Sequence, residues 1–516
     1  MKENKFLNVL SETAKFIILT IFGLIVFSLF VSSMITTCTM YDTPEIIVYE
    51  GDSLIKNVIA LGAVIALGVG VRYTKLNKYI NDKALLCVSA LVVACYLWFV
   101  LSTQLQLISD QWYCFTSATE FLNGDYYSWF PEGYAERYPN QNGLIVFFIL
   151  VQLIFGKGNY VVVQLINLVG AVLSAVFMAK ISELAFSLKN KRLTTMLMLM
   201  YAPAMLYITF TYGTILGLSL SVIGIYCQMK FITTKKWKYC IATAICLGLA
   251  VMLKSNYLIV LVASVLVYCF YAVTKKNWRC LVALAGVIGF YLAVSKGVTL
   301  FIETVTNAEV GKGVPTMAWI TMGVSESGMA PGWYNGYNRK LYINSGFNSE
   351  LAHEKAMSDF IERMEFFSQN PSYTVNFFGS KVLSMWCEPT FQSIWIQQVK
   401  GHPYEFPELV SSLLIYGEPL NTFYWSFFNI LQTFVYFFSF TFIYFKYKKL
   451  EVYQLLPAII IIGGFVFHLF WEGKGQYSMT YFYLLLPYAI SGFSELTKYL
   501  NNKLIQKLRG ISNENN

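Results

Sequence analysis

An acidic residue stands where an apolar run gives way to a polar segment. Ser109-Asp110-Gln111-Trp112-Tyr113 follows a run from about Leu85 to Leu107, so Asp110 falls at a bilayer boundary, where the polar head of a lipid would lie. At helical spacing Asp110, Tyr113, Ser117 and Glu120 share one face. A positioned carboxylate takes the proton from a hydroxyl as it attacks carbon, which makes Asp110, and after it Glu120, candidate general bases. Cations for a phosphate stand at the same boundary: Arg137 in the first polar segment, Lys254 in Met252-Leu253-Lys254-Ser255-Asn256-Tyr257, and Lys474 in Trp471-Glu472-Gly473-Lys474-Gly475-Gln476-Tyr477. Singly, span-end cations of this kind snorkel to the interface without further role. Three of them beside an Asp favour a site.

A second polar segment adds Trp333, within Gly332-Trp333-Tyr334-Asn335-Gly336-Tyr337, and Trp386 and Glu388, within Lys381-Val382-Leu383-Ser384-Met385-Trp386-Cys387-Glu388-Pro389. Aromatic rings beside Gly and Asn suit sugar stacking, and they equally suit compact turns. Glu388 ranks next to Asp110 as an essential carboxylate. His353 and His402 read as loop residues, and His468 as a hydrogen-bonding group near Glu472. None has metal-ligand company, and the 10 cysteines are scattered without a C-x-x-C pair. No cofactor or metal is required by this pattern, though a divalent cation stays open.

The elements that must position these residues are membrane helices. Of 516 residues 56% are apolar and 13% charged, against about 25% charged in soluble domains, which excludes a soluble enzyme and a disordered chain. Apolar runs of spanning length recur from end to end. The net charge of +9 comes without a basic stripe, so no nucleic-acid partner is expected. Its Lys and Arg cluster between runs and report orientation. Taking Lys75/Lys78, Lys189/Lys191/Arg192, Lys235/Lys236/Lys238, Lys275/Lys276/Arg279, Lys446/Lys448/Lys449 and the tail with Lys498, Lys503, Lys507 and Arg509 as cytoplasmic gives an all-α membrane protein of about 12 spans with both termini inside. An acidic loop (Asp42, Glu45, Glu50, Asp52) joins the first two spans outside. Parity requires that the short piece from Leu144 to Phe155 lie at the interface or re-enter. The expected divisions are a two-span extension over 1–84, a core over 85–302 with its first external loop at 108–143, a large external segment over 303–421, and three last spans with a cytoplasmic tail over 422–516.

At this point the chain resembles a known group. Asp110, Tyr113, Ala118, Leu122-Asn123-Gly124-Asp125-Tyr126 and Arg137-Tyr138-Pro139, followed by a short apolar helix, are similar to the first-loop pattern of GT-C glycosyltransferases, the polytopic enzymes that include protein O-mannosyltransferases and lipid A aminoarabinose transferases. Glu472-Gly473-Lys474-Gly475-Gln476-Tyr477 is similar to an E.R..Y turn of bacterial relatives, with Lys in place of Arg, a point charge in place of a bidentate fork. Two spans precede the Asp-bearing loop where many members have one. At Tyr212-Gly213-Thr214 the frequent acidic residue is missing.

The resemblance implies an inverting transfer of a sugar from a polyprenyl-phosphate donor to a cell-envelope glycan, lipid-linked glycan or protein, on the outer face of a bacterial plasma membrane. It implies Asp110 as base, Arg137, Lys254 and Lys474 on the donor phosphate, and substrate contacts by Tyr113, Tyr138, Trp333, Trp386, Glu472 and Tyr477. A lipid-linked glycan polymerase or ligase of the O-antigen polymerase type shares the span count but relies on external Arg and His. A polysaccharide or lipid transporter calls for ionisable groups at mid-membrane, and the runs hold almost none.

Overall fold

Backbone amides inside hydrocarbon find no water, so apolar runs become helices that satisfy them within the segment. The computed structural model describes residues 2–40, 45–186, 188–397 and 406–514; Asp42 and His402 lie outside the described residues. In chain order, α1 (Lys2–Ile35) leads into a hairpin of β1 (Thr36–Met40) and β2 (Ile47–Gly51), α2 (Leu54–Tyr73) returns, and α3 (Asp82–Thr103) leads to α4 (Ser109–Leu122) and α5 (Asn142–Phe155). Then come α6 (Tyr160–Phe186), α7 (Lys191–Leu199), α8 (Thr214–Thr234), α9 (Trp237–Leu253), α10 (Leu258–Thr274) and α11 (Trp278–Thr306). The larger polar segment carries α12 (Thr316–Gly323), α13 (Ser349–Gln369) and α14 (Pro371–Trp386) before α15 (Pro419–Lys446), α16 (Leu456–Phe470) and α17 (Gly475–Glu514).

Among the described residues nine helices are long and apolar enough to cross a membrane: α1, α2, α3, α6, α8, α10, α11, α15 and α16, the last counted from Val452. This is a multi-pass, all-α membrane architecture. The expectation of about 12 counted three further pieces. One is α9, of 17 residues. Another is α7, which breaks before Ala202–Met205 and Leu206–Thr209. The third is α17, which starts apolar and ends polar. The piece expected not to cross is α5, which meets the preceding Tyr127–Arg137 stretch at a 97° bend, the geometry of a broken span or a re-entrant loop.

In lipid, helices associate through close packing of small residues more than through burial. Accordingly α15 and α17 run against each other, and a Cβ at Gly492 would sit 1.9 Å from the Phe438 carbonyl oxygen. At the end of the bundle that bears the Lys/Arg clusters, Arg72 in the last turn of α2 donates to Thr497 Oγ1 at 2.8 Å and Lys446 pairs with Glu495 at 2.7 Å. At the opposite end the first hairpin joins the larger polar segment: Cys38 N donates to the Cys387 carbonyl at 2.9 Å and Ile47 N to that of Met329 at 3.2 Å. The hairpin between the first two spans thus packs on the larger polar segment at Met329 and Cys387.

Candidate functional site

The third span stops at Thr103, where Gln104 takes a left-handed φ of 42°, and an extended stretch runs to Ile108 before α4 begins. Asp110 therefore sits in the first turn of α4, seven residues after Thr103, where the helix N-terminus favours a negative charge. Tyr134 Oη donates to its Oδ1 at 3.2 Å, and Tyr134 is held by stacking on Tyr113, with centroids 5.1 Å apart and planes 10° apart. Asp110 is exposed, so its other oxygen is open to a substrate. Tyr138 leans on Tyr134 from the far side, 5.2 Å between rings.

Lys254 follows α9 in an extended conformation, with 8% of its surface exposed. Its Nζ donates to Thr214 Oγ1 at 2.8 Å and lies 4.7 Å from the centre of the Tyr212 ring. The Tyr212-Gly213-Thr214 turn, where the family resemblance would place an acid, is here the seat of a lysine. Burial pushes the Lys254 ammonium down to about 7. Asp110 and Glu472 pull it upward and Lys474 pushes it further down.

The Glu472–Lys474 turn is held from below by a residue outside the expected set. Lys381 on α14 is fully buried and donates from Nζ to the carbonyls of Gly323, Leu469 (3.0 Å) and Trp471 (2.7 Å). The last two are end-of-helix carbonyls of α16, which lack intrahelical partners. Gly473 N donates to the Gly332 carbonyl at 2.7 Å, so the turn runs alongside Trp333 as a short parallel bridge. Lys474 Nζ meets Glu45 Oε1 at 3.2 Å, and Gln392 Nε2 donates to that same oxygen at 2.6 Å. Gln392 also accepts from Gln476 N at 2.9 Å. Burial lowers the Lys474 ammonium, but Glu45, Glu472 and Asp110 outweigh it and hold it above the ordinary lysine value. Burial pushes Glu472 up to about 7 against the pull of Lys474. Tyr477 Oη donates to Glu472 Oε2 at 3.2 Å and stacks its ring on His468.

Lys254, Glu472 and Tyr477 line one cavity, and Asp110, Tyr138 and Lys474 lie within electrostatic reach of that group, so the six gather at one place. Directly beneath it opens a cavity of about 640 Å³ between α10 and α16. Its walls are Leu258, Ile259, Val262 and Leu266 on one side and Ile459 and Phe467 on the other, and its polar end is made by Lys254, Glu472, Tyr212 and Tyr477. Trp319 and Trp471, stacked at 5.9 Å, close one flank.

The remaining expected residues stand elsewhere. Glu120 lies ten residues along α4 from Asp110, about 15 Å of helix, beside Asp125, and burial raises its carboxyl. The shared face is interrupted because Ser117 is buried against Ser128, 2.7 Å away. Arg137 turns its Nε to the Gly133 carbonyl at 3.1 Å, and its own carbonyl accepts from Val314 N. It is not among the walls of the cavity. Trp333 and Trp386 are fully buried, Trp333 donating to Ser384 Oγ at 2.9 Å and Trp386 packed on Phe465, so neither offers a face to a sugar. Glu388 is fully buried and accepts from the Thr390 hydroxyl and the Gln392 amide, both at 2.5 Å. Burial pushes it up to about 7. It positions Gln392, and through it Glu45 and Lys474.

Glu45, Lys381 and Tyr134 complete the cluster and were not among the expected site residues. Lys381 belongs to the Lys-x-x-x-x-Trp-x-Glu-Pro stretch and Glu45 to the acidic loop, and those stretches are the signal that could have found them. Tyr334 and Arg339 stand at the rim, within electrostatic reach of Asp110, Glu472 and Tyr138. Among the described residues no group of three or more His, Cys, Asp or Glu gathers as a metal would need. Comparison with family models, with curated proteins and with solved structures finds no match to this chain.

Proposed function

We propose that this chain is an inverting membrane glycosyltransferase of the GT-C kind, with about 12 spans, moving a sugar from a polyprenyl-phosphate donor to a cell-envelope acceptor on the outer face of a bacterial plasma membrane. The observation that carries the reading is the apolar cavity between α10 and α16 that ends at Lys254 and Glu472 beside Asp110. Its shape and chemistry suit a lipid whose hydrocarbon lies between spans and whose phosphate meets ammonium groups. The polar end lies opposite the Lys/Arg clusters, which the positive-inside rule assigns to the cytoplasm. Nucleotide sugars are not generally available outside, whereas a lipid-linked sugar can be presented there.

In this reaction the acceptor oxygen attacks the anomeric carbon and its proton passes to the open oxygen of Asp110. The bond from that carbon to the phosphate oxygen breaks, and the polyprenyl phosphate leaves as an anion held by Lys254 and Lys474. A phosphate leaves ionised and needs no general acid, so one carboxylate suffices. Tyr134 orients that carboxylate, while Glu45 orients Lys474. The test is sugar transfer from a panel of polyprenyl-phosphate sugars to envelope extracts by the purified protein in lipid, compared with Asp110→Asn.

A further inference from the structure

A smaller cavity, about 140 Å³, lies between the start of α5, the end of α9 and the middle of α11, and shares Pro139, Asn140 and Ser255 with the larger one. α11 is one of the barest spans, with 11% of its most apolar stretch buried, so this side faces lipid. Polar side chains there are costly unless something satisfies them. Ser295 and Thr299 line the cavity beside Tyr291, and Thr299 gives its hydroxyl proton to the Ser295 carbonyl at 3.2 Å. α11 has 29 residues, about 44 Å of helix against a hydrocarbon core about 30 Å thick, and Ser295, eleven residues or about 17 Å from the Thr306 end, falls within the stretch that such a core would cover.

From the other wall comes Asn142, 3% exposed. Its Oδ1 accepts from Trp129 Nε1 at 3.0 Å, and no described residue accepts from its amide nitrogen. Asn140, Ser255 and Ser295 are exposed, and their side chains, with no hydrogen-bond partner among the described residues, add an amide and two hydroxyls to the cavity walls. No charged residue lines the space; Lys296, the neighbour of Ser295, is exposed and stands outside its walls. Uncharged hydroxyls and amides beside a tyrosine ring match the hydroxyls and face of a sugar. A sugar held between spans, against a helix face bare to lipid, is best delivered by a lipid.

We propose that this cavity holds the sugar headgroup of an uncharged glycolipid that enters from the bilayer beside α11. Under the function proposed above, on which this role rests, the glycolipid is the acceptor. It presents a hydroxyl across Asn140 and Ser255 toward the donor, so that a new glycosidic bond forms as the donor's carbon–phosphate-oxygen bond breaks and the proton goes to Asp110. The binding itself stands without that role.

The experiment places the full chain in nanodiscs with a trace of monoglucosyl diacylglycerol carrying a diazirine in one acyl chain, and maps the photolabelled peptides. Matching diacylglycerol and phosphatidylglycerol probes run in parallel. The glycolipid is expected to label residues 288–302 at least fivefold more than diacylglycerol, and unlabelled glycolipid is expected to displace it from the unaltered chain where phosphatidylglycerol does not. Filling the space with Ser295→Phe, or separately with Asn142→Leu and Thr299→Leu together, reduces labelling to the diacylglycerol level. Equal labelling by glycolipid and diacylglycerol, preference for phosphatidylglycerol, or indifference to both fillings in folded protein overturns the proposal. A polyprenyl-phosphate diazirine probe mapped to α10 and α16 reports on the donor reading separately, so either can fail alone.

Discussion

At the scale of the residue, the site is a set of charges whose burial tunes them. With no donor bound, Lys254 loses its proton as pH rises through about 7, and over the same range Glu472 becomes negative. Both changes make the site less attractive to a phosphate. Binding of polyprenyl phosphate is therefore expected to weaken from pH 6.5 to 8.5, measurable by titration in nanodiscs. Lys254→Arg, whose guanidinium stays charged, should reduce the fall by about half, and the double variant with Glu472→Gln should remove most of it; an unchanged slope in both would take these groups out of donor binding. Lys254→Ala at pH 6.5 should cost roughly 1.5–3 kcal/mol, the range for a hydrogen bond to a charged group, or about 10- to 100-fold in affinity. Asp110 and Lys254 stand out in sequence as ionisable groups at the ends of apolar runs, and the structure brings them within electrostatic reach of each other. Trp333 and Glu388 were misplaced because nothing in a sequence tells a ring or carboxylate that faces a cleft from one spent on Ser384 or on the amide of Gln392.

At the scale of the element, the Glu472–Lys474 turn depends on groups brought from far along the chain. Lys381 satisfies three carbonyls, and removing it leaves them buried without a donor. Lys381→Met is expected to destabilise the protein by roughly 2–4 kcal/mol, read as a lower melting temperature in detergent, and to weaken donor binding more than it weakens binding to the α11 cavity. Glu45→Gln keeps a hydrogen-bonding shape but removes the charge that pairs with Lys474. The expected result is an unchanged melting temperature to within a few degrees with a several-fold change in polyprenyl-phosphate affinity; unchanged affinity would reduce the hairpin to a scaffold. Helices were readable from runs of apolar residues, and so was the short α5. The hairpin β1–β2, with Cys38 paired to Cys387 through the backbone, was not, since a contact between residues 349 positions apart leaves no local pattern.

On the scale of the whole molecule, the polar cluster and the Lys/Arg clusters occupy opposite ends of one bundle. The orientation proposed here puts the cluster outside. In intact cells expressing a chain with its ten cysteines replaced, a membrane-impermeant maleimide should label Lys355→Cys on α13 and leave Lys236→Cys, between α8 and α9, unlabelled until the cells are opened. The reverse pattern would invert the topology and with it the donor class. Multi-pass character followed from composition together with the recurring apolar runs, whereas the cavity between α10 and α16 depends on which helices become neighbours, and that is a property of packing.

The most direct test of the central claim follows sugar transfer by purified protein in lipid, with a panel of polyprenyl-phosphate sugars and envelope acceptors, for the native chain and for Asp110→Asn. Asn keeps the shape and the bond from Tyr134 while removing the base. Transfer by the native chain that falls by at least a thousandfold in the folded variant is the expected result. Equal transfer by both proteins would contradict the account and remove Asp110 as the group that takes the acceptor's proton.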